Sequence, residues 1–95
     1  MSVLLAADAN AAQGNDFTVP ANTAFTVAVF SADNVFAQNT DGIMLERKTE
    51  NNSYTLAGWL NNANGLVQVL PPLGVAVTYR ARKFSTKAVI GLEGS

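Results

Sequence analysis

The feature that most constrains this chain is its punctuation. Clusters of turn-forming residues recur about every 8–12 positions. They are Gly14-Asn15-Asp16, Pro20-Ala21-Asn22, Asp33-Asn34, Asn39-Thr40-Asp41-Gly42, Asn51-Asn52-Ser53, Asn61-Asn62-Ala63-Asn64-Gly65 and Pro71-Pro72-Leu73-Gly74. Asn, Asp and Gly serve turns because they tolerate left-handed backbone or hydrogen-bond their own main chain, and Pro presets φ. Between the clusters lie runs rich in β-branched and aromatic residues: Thr23 to Phe30, Ile43 to Thr49, Ser53 to Leu60, Leu66 to Leu70, Val75 to Phe84 and Ala88 to Leu92. This rhythm predicts an all-β protein, an antiparallel β-sandwich or flattened barrel of about seven or eight short strands, Ig-like or jelly-roll-like. Residues 1–13 are expected to form an N-terminal arm or an edge strand, and residues 14–95 a single β domain.

Two strands carry further information. From Val75 the residues alternate: Val75, Val77, Tyr79 and Ala81 point one way, Ala76, Thr78, Arg80 and Arg82 the other. In the run Ala24 to Phe30, by contrast, both sets are apolar, Phe25, Val27 and Val29 against Ala24, Thr26, Ala28 and Phe30. A strand covered on one side only shows polar residues on the other. The second face of this strand is therefore expected to meet a neighbour or the N-terminal segment. Asn64-Gly65 and Pro72 to Gly74 read as tight turns, which makes the second half of the chain an antiparallel meander of four or five strands.

Composition sharpens the point about neighbours. Apolar residues make up 48% of the 95 residues and charged residues 14%, against about 25% charged in ordinary domains. A chain this short buries only about 60–65% of its unfolded surface. Some of the apolar surplus is expected against another protein. The longest apolar run near the start, Val3 to Ala7, is too short for a membrane helix or a signal segment.

Little in the sequence supports chemistry. There is no His and no Cys, which removes imidazole bases, thiolates and the usual zinc sites. Most of the carboxylates sit in expected turns. Asn39 to Gly42 matches a calcium loop only in its middle, because the first ligand would fall on Ala37 and the twelfth on Lys48. Ser85 and Lys87 lack an elbow motif, and no phosphate-binding glycine loop occurs. The expectation is a non-enzymatic protein with no catalytic residues, no cofactor and no metal.

Partner contact is the remaining role. All six cations lie at Arg47, Lys48, Arg80, Arg82, Lys83 and Lys87. Thr78, Arg80 and Arg82 share one strand face, either as a stripe that docks an acidic surface or as a solvated, gatekeeping face. A net charge of −1 and the absence of interleaved aromatics disfavour nucleic acid. Tyr54 and Trp59 fall on opposite faces of their strand by parity, and Tyr79 lies on an apolar face, so core packing is expected for the aromatics, Phe84 included. Phe36, in the irregular stretch Asn34 to Ala37, is a candidate exposed anchor. The partner-binding candidates are thus Arg80, Arg82, Thr78, Phe36, Ala28 and Phe30.

The stretches Phe17-Thr18-Val19-Pro20 with Thr23 to Phe30, Tyr54 to Leu60 with its Asn-rich turn, and Gly74 to Lys83 with Val89 to Glu93 resemble the small virion structural proteins of tailed bacteriophages, in particular the capsid decoration or cement type. The resemblance implies a location on the capsid exterior, binding to the major capsid protein or another virion protein, as a homodimer or homotrimer, away from any membrane. It carries no functional residue position by position. A tail, fibre or head–tail adaptor part is the alternative within the virion. A small carbohydrate- or receptor-binding β-module is the alternative outside it.

Overall fold

The computed structural model describes residues 2–32 and 41–95, and Phe36 lies outside them. Among the described residues nine strands and no helix are found: β1 (Ser2–Asp8), β2 (Ala12–Gln13), β3 (Phe17–Val19), β4 (Phe25–Ser31), β5 (Gly42–Lys48), β6 (Tyr54–Asn61), β7 (Val67–Leu70), β8 (Val77–Lys83) and β9 (Ile90–Gly94). They form two antiparallel sheets. One, sheet A, has the order β1-β9-β4-β7; the other, sheet B, has β2-β8-β5-β6, with β3 also on β8. Because β2 and β3 both pair with β8, they act as one strand broken at the Gly14-Asn15-Asp16 cluster. Counted so, first pairs with last, second with seventh, third with sixth and fourth with fifth. This is the jelly-roll form of the expected β-sandwich, a long hairpin rolled into two facing sheets.

The tip of that hairpin is the Thr49–Ser53 turn. The Thr49 amide donates to the Ser53 carbonyl at 2.7 Å, the two hydroxyls meet at 2.8 Å, and Asn52 takes φ 62°. Asn tolerates that left-handed conformation better than most residues. The meander expected for the second half is not formed. Only β5 and β6 are consecutive partners; β7 pairs with β4, β8 with β5, and β9 with β4 and β1. Asn64-Gly65 does reverse the chain, with Gly65 at φ 108° and its amide on the Asn61 carbonyl at 2.8 Å. The reversal leads from one sheet to the other instead of closing a hairpin. Turn chemistry sets where a chain reverses, whereas burial of both sheet faces sets which strands meet.

The facing sides of the sheets hold Val19, Val27, Ile43, Leu45, Leu60, Leu70, Val77, Tyr79, Ala81, Ala88, Ile90, Leu92 and Leu5. The alternation in β8 holds from Val77 onward: Val77, Tyr79, Ala81 and Lys83 are buried, Thr78, Arg80 and Arg82 half-buried. Val75 departs from it and is 62% exposed, since it precedes the first ladder position. Phe84, expected in the core, lies just past the last ladder position and is 61% exposed. Residues 2–8 form the edge strand of sheet A with Leu5 in the core.

Asp41 and Lys83, two of the three buried charged residues among those described, complete the interior. Asp41 accepts the amides of Lys87 and Ala88 at 3.0 and 3.1 Å and so anchors the approach to β9. Lys83 continues the inward row of β8, and its ammonium donates to the Asn10 carbonyl at 2.5 Å. Burial lowers its pKa against the opposing pull of Asp8 and Asp41.

Candidate functional site: the two outer sheet faces

The cross-strand register settles which side chains share the outside of sheet B. Met44, Glu46 and Lys48 alternate with the buried Ile43 and Leu45, and their partners on β6 are Trp59, Leu56 and Tyr54. The register slips between Leu45 and Glu46, so Ala57 is an extra residue on β6. This β-bulge reverses the parity of everything beyond it. Tyr54 and Trp59 therefore lie on the same outer face, not on opposite faces, and neither is a core residue. A Cβ at Gly42 would stand 2.8 Å from the indole, so Trp59 lies directly over the glycine. On the inner side the Gln68 amide occupies the space a side chain at Gly58 would need. Simple alternation does not hold along β6, and the bulge leaves no unmistakable mark in YTLAGWLN beyond the glycine itself.

An ionic network crosses this face. Arg80 Nε donates to Glu46 Oε1 at 2.8 Å, and its guanidinium lies 3.5 Å above the Tyr54 ring centre. Arg82 Nε is 3.4 Å from the same carboxylate oxygen, ionic proximity without hydrogen-bond geometry, while Nη2 reaches the Met44 sulfur at 3.9 Å. Arg82 also stands 5.7 Å from the centre of the Phe84 ring. The Tyr54 hydroxyl donates to the Asp16 carboxylate at 2.8 Å, which holds its pKa above the ordinary phenol range. Lys48 lies 3.7 Å from the same Asp16 carboxylate. Thr78 pairs hydroxyl to hydroxyl with Thr18 at 2.9 Å. Each cation named here thus has an acidic neighbour in its own chain. The face is a polar lattice over an apolar floor of Met44, Trp59 and Leu56, and Leu56 is 60% exposed.

The outside of sheet A is built differently. Reading across the strands, Val3, Glu93, Ala28 and Val67 form one row. Thr26 with Val69 and Phe30 with Gly91 form the next rows on either side. Val3, Val67 and Val69 are each about 60% exposed, and Glu93 is the one ionisable side chain in those rows. The apolar second face of β4 noted in the sequence is thus turned outward. The N-terminal strand pairs at the sheet edge through β9 and does not lie across it.

The structure consequently separates the candidates. Arg80, Arg82 and Thr78 share the outside of sheet B; Ala28 and Phe30 share the outside of sheet A, on the opposite side of the sandwich. Sequence reasoning missed that Trp59 and Tyr54 are half-buried on the outer face, and missed Glu46 as the group that joins the two arginines. Among the described residues no cluster of three or more metal-ligating side chains occurs. No protein-family model, curated protein or solved structure matches the chain.

Proposed function

We propose that this chain is a non-enzymatic structural protein whose work is done by its sheet faces against other protein surfaces, as a capsid decoration protein on the outer lattice of a tailed-phage particle. The observation that carries the reading is the outside of sheet A, where Val67 and Val69, each about 60% exposed, lie beside Ala28 and Thr26, with Phe30 in the next row and Val3 beyond Glu93. Contiguous exposed apolar surface on a small domain marks a contact site. Docked on a lattice, such a face loses little side-chain entropy, because Val and Ala have few rotamers to restrict. Repetition over a symmetric shell multiplies a modest single contact.

Copy number in purified particles from the source tests the reading. Hundreds of copies per particle support decoration. A handful places the protein in a tail, fibre or adaptor, and none removes it from the virion altogether. Val67→Lys with Val69→Lys is expected to abolish attachment while leaving the fold intact. Charge reversal at Arg80 and Arg82 is a poorer probe, since two new carboxylates beside Glu46 would strain the sheet itself.

A second reading is favoured by one observation. Tyr54 and Trp59 share the outside of sheet B with Leu56 and the two arginines. Aromatic faces beside hydrogen-bonding groups also suit a carbohydrate ring. Saturable glycan binding lost in Trp59→Ala would favour that module over a lattice-binding role.

A further inference from the structure

Sheet edges expose unpaired main-chain groups that can recruit another strand, and proteins blunt them with short strands, Pro, bulges or charge. Most edges of this sandwich are blunted so. β1 is broken by two register slips. β7 has four residues and runs into Pro71-Pro72. β2 and β3 have two and three residues, and Pro20 follows. Among the described residues the edge at β6 stands apart in its length. It is eight residues long, YTLAGWLN, without a charge or a proline; it carries one bulge, at Ala57, and its last residue, Asn61, is bridged to Gly65, while Thr55, Leu56 and Ala57 are exposed along it.

From this contrast we infer that β6 is a self-association edge, at which a second copy of the chain adds its own β6 antiparallel about a two-fold axis. The strand is complementary to itself in that arrangement. With the axis between Ala57 and Gly58, Leu56 faces the partner's Trp59 and Thr55 faces the partner's Leu60, and the pairing ends there because Asn61 is bridged to Gly65 of its own chain. Cross-strand neighbours must point to the same side of a sheet. The bulge at Ala57 meets that demand by putting Leu56 and Trp59 together outside, with Thr55 and Leu60 inside. The most exposed apolar side chain of β6 is thereby covered by the largest aromatic one. The nearest charges, Glu46, Arg47 and Lys48, sit one strand back on β5. Across the junction the two β5 strands are about 14 Å apart, three strand spacings, beyond a Debye length of about 8 Å. No like charges are forced together. The inference rests on edge geometry alone and stands whatever particle or surface the protein serves.

Sedimentation of the full chain from micromolar to millimolar concentration tests it. A monomer–dimer equilibrium is expected, and Leu56→Lys is expected to weaken the dimer at least about tenfold, roughly the equivalent of 1.4 kcal/mol, with an unchanged urea midpoint. Because the chain has no cysteine, Ala57→Cys provides a second readout. In the stated register the two introduced thiols come within the reach of about 7 Å that a disulfide requires, so mild oxidation gives a covalent dimer. Val69→Cys, on the outside of sheet A, gives none. A monomer throughout, an unaffected Leu56→Lys dimer, or cross-linking through Val69→Cys in place of Ala57→Cys overturns the inference.

Discussion

The two outer faces of this sandwich solve the same problem in opposite ways. Sheet B covers Met44 with side chains tied to one another, leaving Leu56 exposed at its edge: Arg80 between Glu46 and Tyr54, Arg82 along Glu46 and Met44, Lys48 and Tyr54 on Asp16. Sheet A leaves Val3, Val67 and Val69 open with a single carboxylate, Glu93, in the middle row. A face held by its own ion pairs has already satisfied its charges and gains little from a partner's. A face of bare valines is satisfied only by being covered. The conspicuous cations of the sequence thus mark the more self-sufficient side of the molecule, and the quiet apolar row in β4 marks the needier one.

The sharpest break of this contrast is Glu46→Ala. Glu46 is 7% exposed and serves two part-buried guanidinium groups, and losing a hydrogen bond to a charged group costs about 1.5–3 kcal/mol. Urea denaturation is expected to show a loss near the lower end of that range, because Arg82 can turn toward solvent. On the opposite side, Val67→Lys and Val69→Lys are each expected to change monomer stability by no more than about 0.5 kcal/mol, measured in the same way. A large loss there would mean that the valines serve the fold and not a partner.

Smaller effects follow from titration. Burial depresses the Lys83 pKa, so the folded state binds fewer protons than the unfolded one between that lowered value and the ordinary 10.5. Stability therefore rises with pH across this window. Lys83→Met is expected to remove that part of the rise in urea midpoints. Tyr54 behaves oppositely. Its pKa is raised above 10.0 by the hydrogen bond to Asp16, so its contribution is present below pH 10.0 and is lost as pH climbs through the raised value. Ultraviolet titration of Asp16→Asn is expected to bring one tyrosine transition down toward 10.0. If it does not move, the phenol–carboxylate contact does not persist in solution, and the polar lattice on sheet B is held by its arginines alone.

Several elements are legible in the amino-acid order itself. Alternation in β8 identifies Val77, Tyr79 and Ala81 as inward and Thr78, Arg80 and Arg82 as outward, because the pleat forces period two on any unbroken strand. The turn clusters mark the ends of most strands. The double apolar pattern of β4 implies cover over its second face; the N-terminal strand does not supply it, since β1 pairs at the sheet edge. The placement of Lys83 is also implicit, since it continues the row of Ala81, yet a lysine at an inward position reads as a strand end unless a carbonyl such as that of Asn10 is known to wait for it.

What the linear order could not decide is whatever depends on distant partners. Turn residues and alternation are local, so the chain by itself determined that strands form, where they end and which side of β8 is wet. The rolling of first strand onto last, the bulge at Ala57 that moves Tyr54 and Trp59 to one face, and the use of Glu46 by both Arg80 and Arg82 were decided only in three dimensions. These depend on residues tens of positions apart being pressed together, and burying two sheets against each other is what selects among the many pairings that local preferences allow.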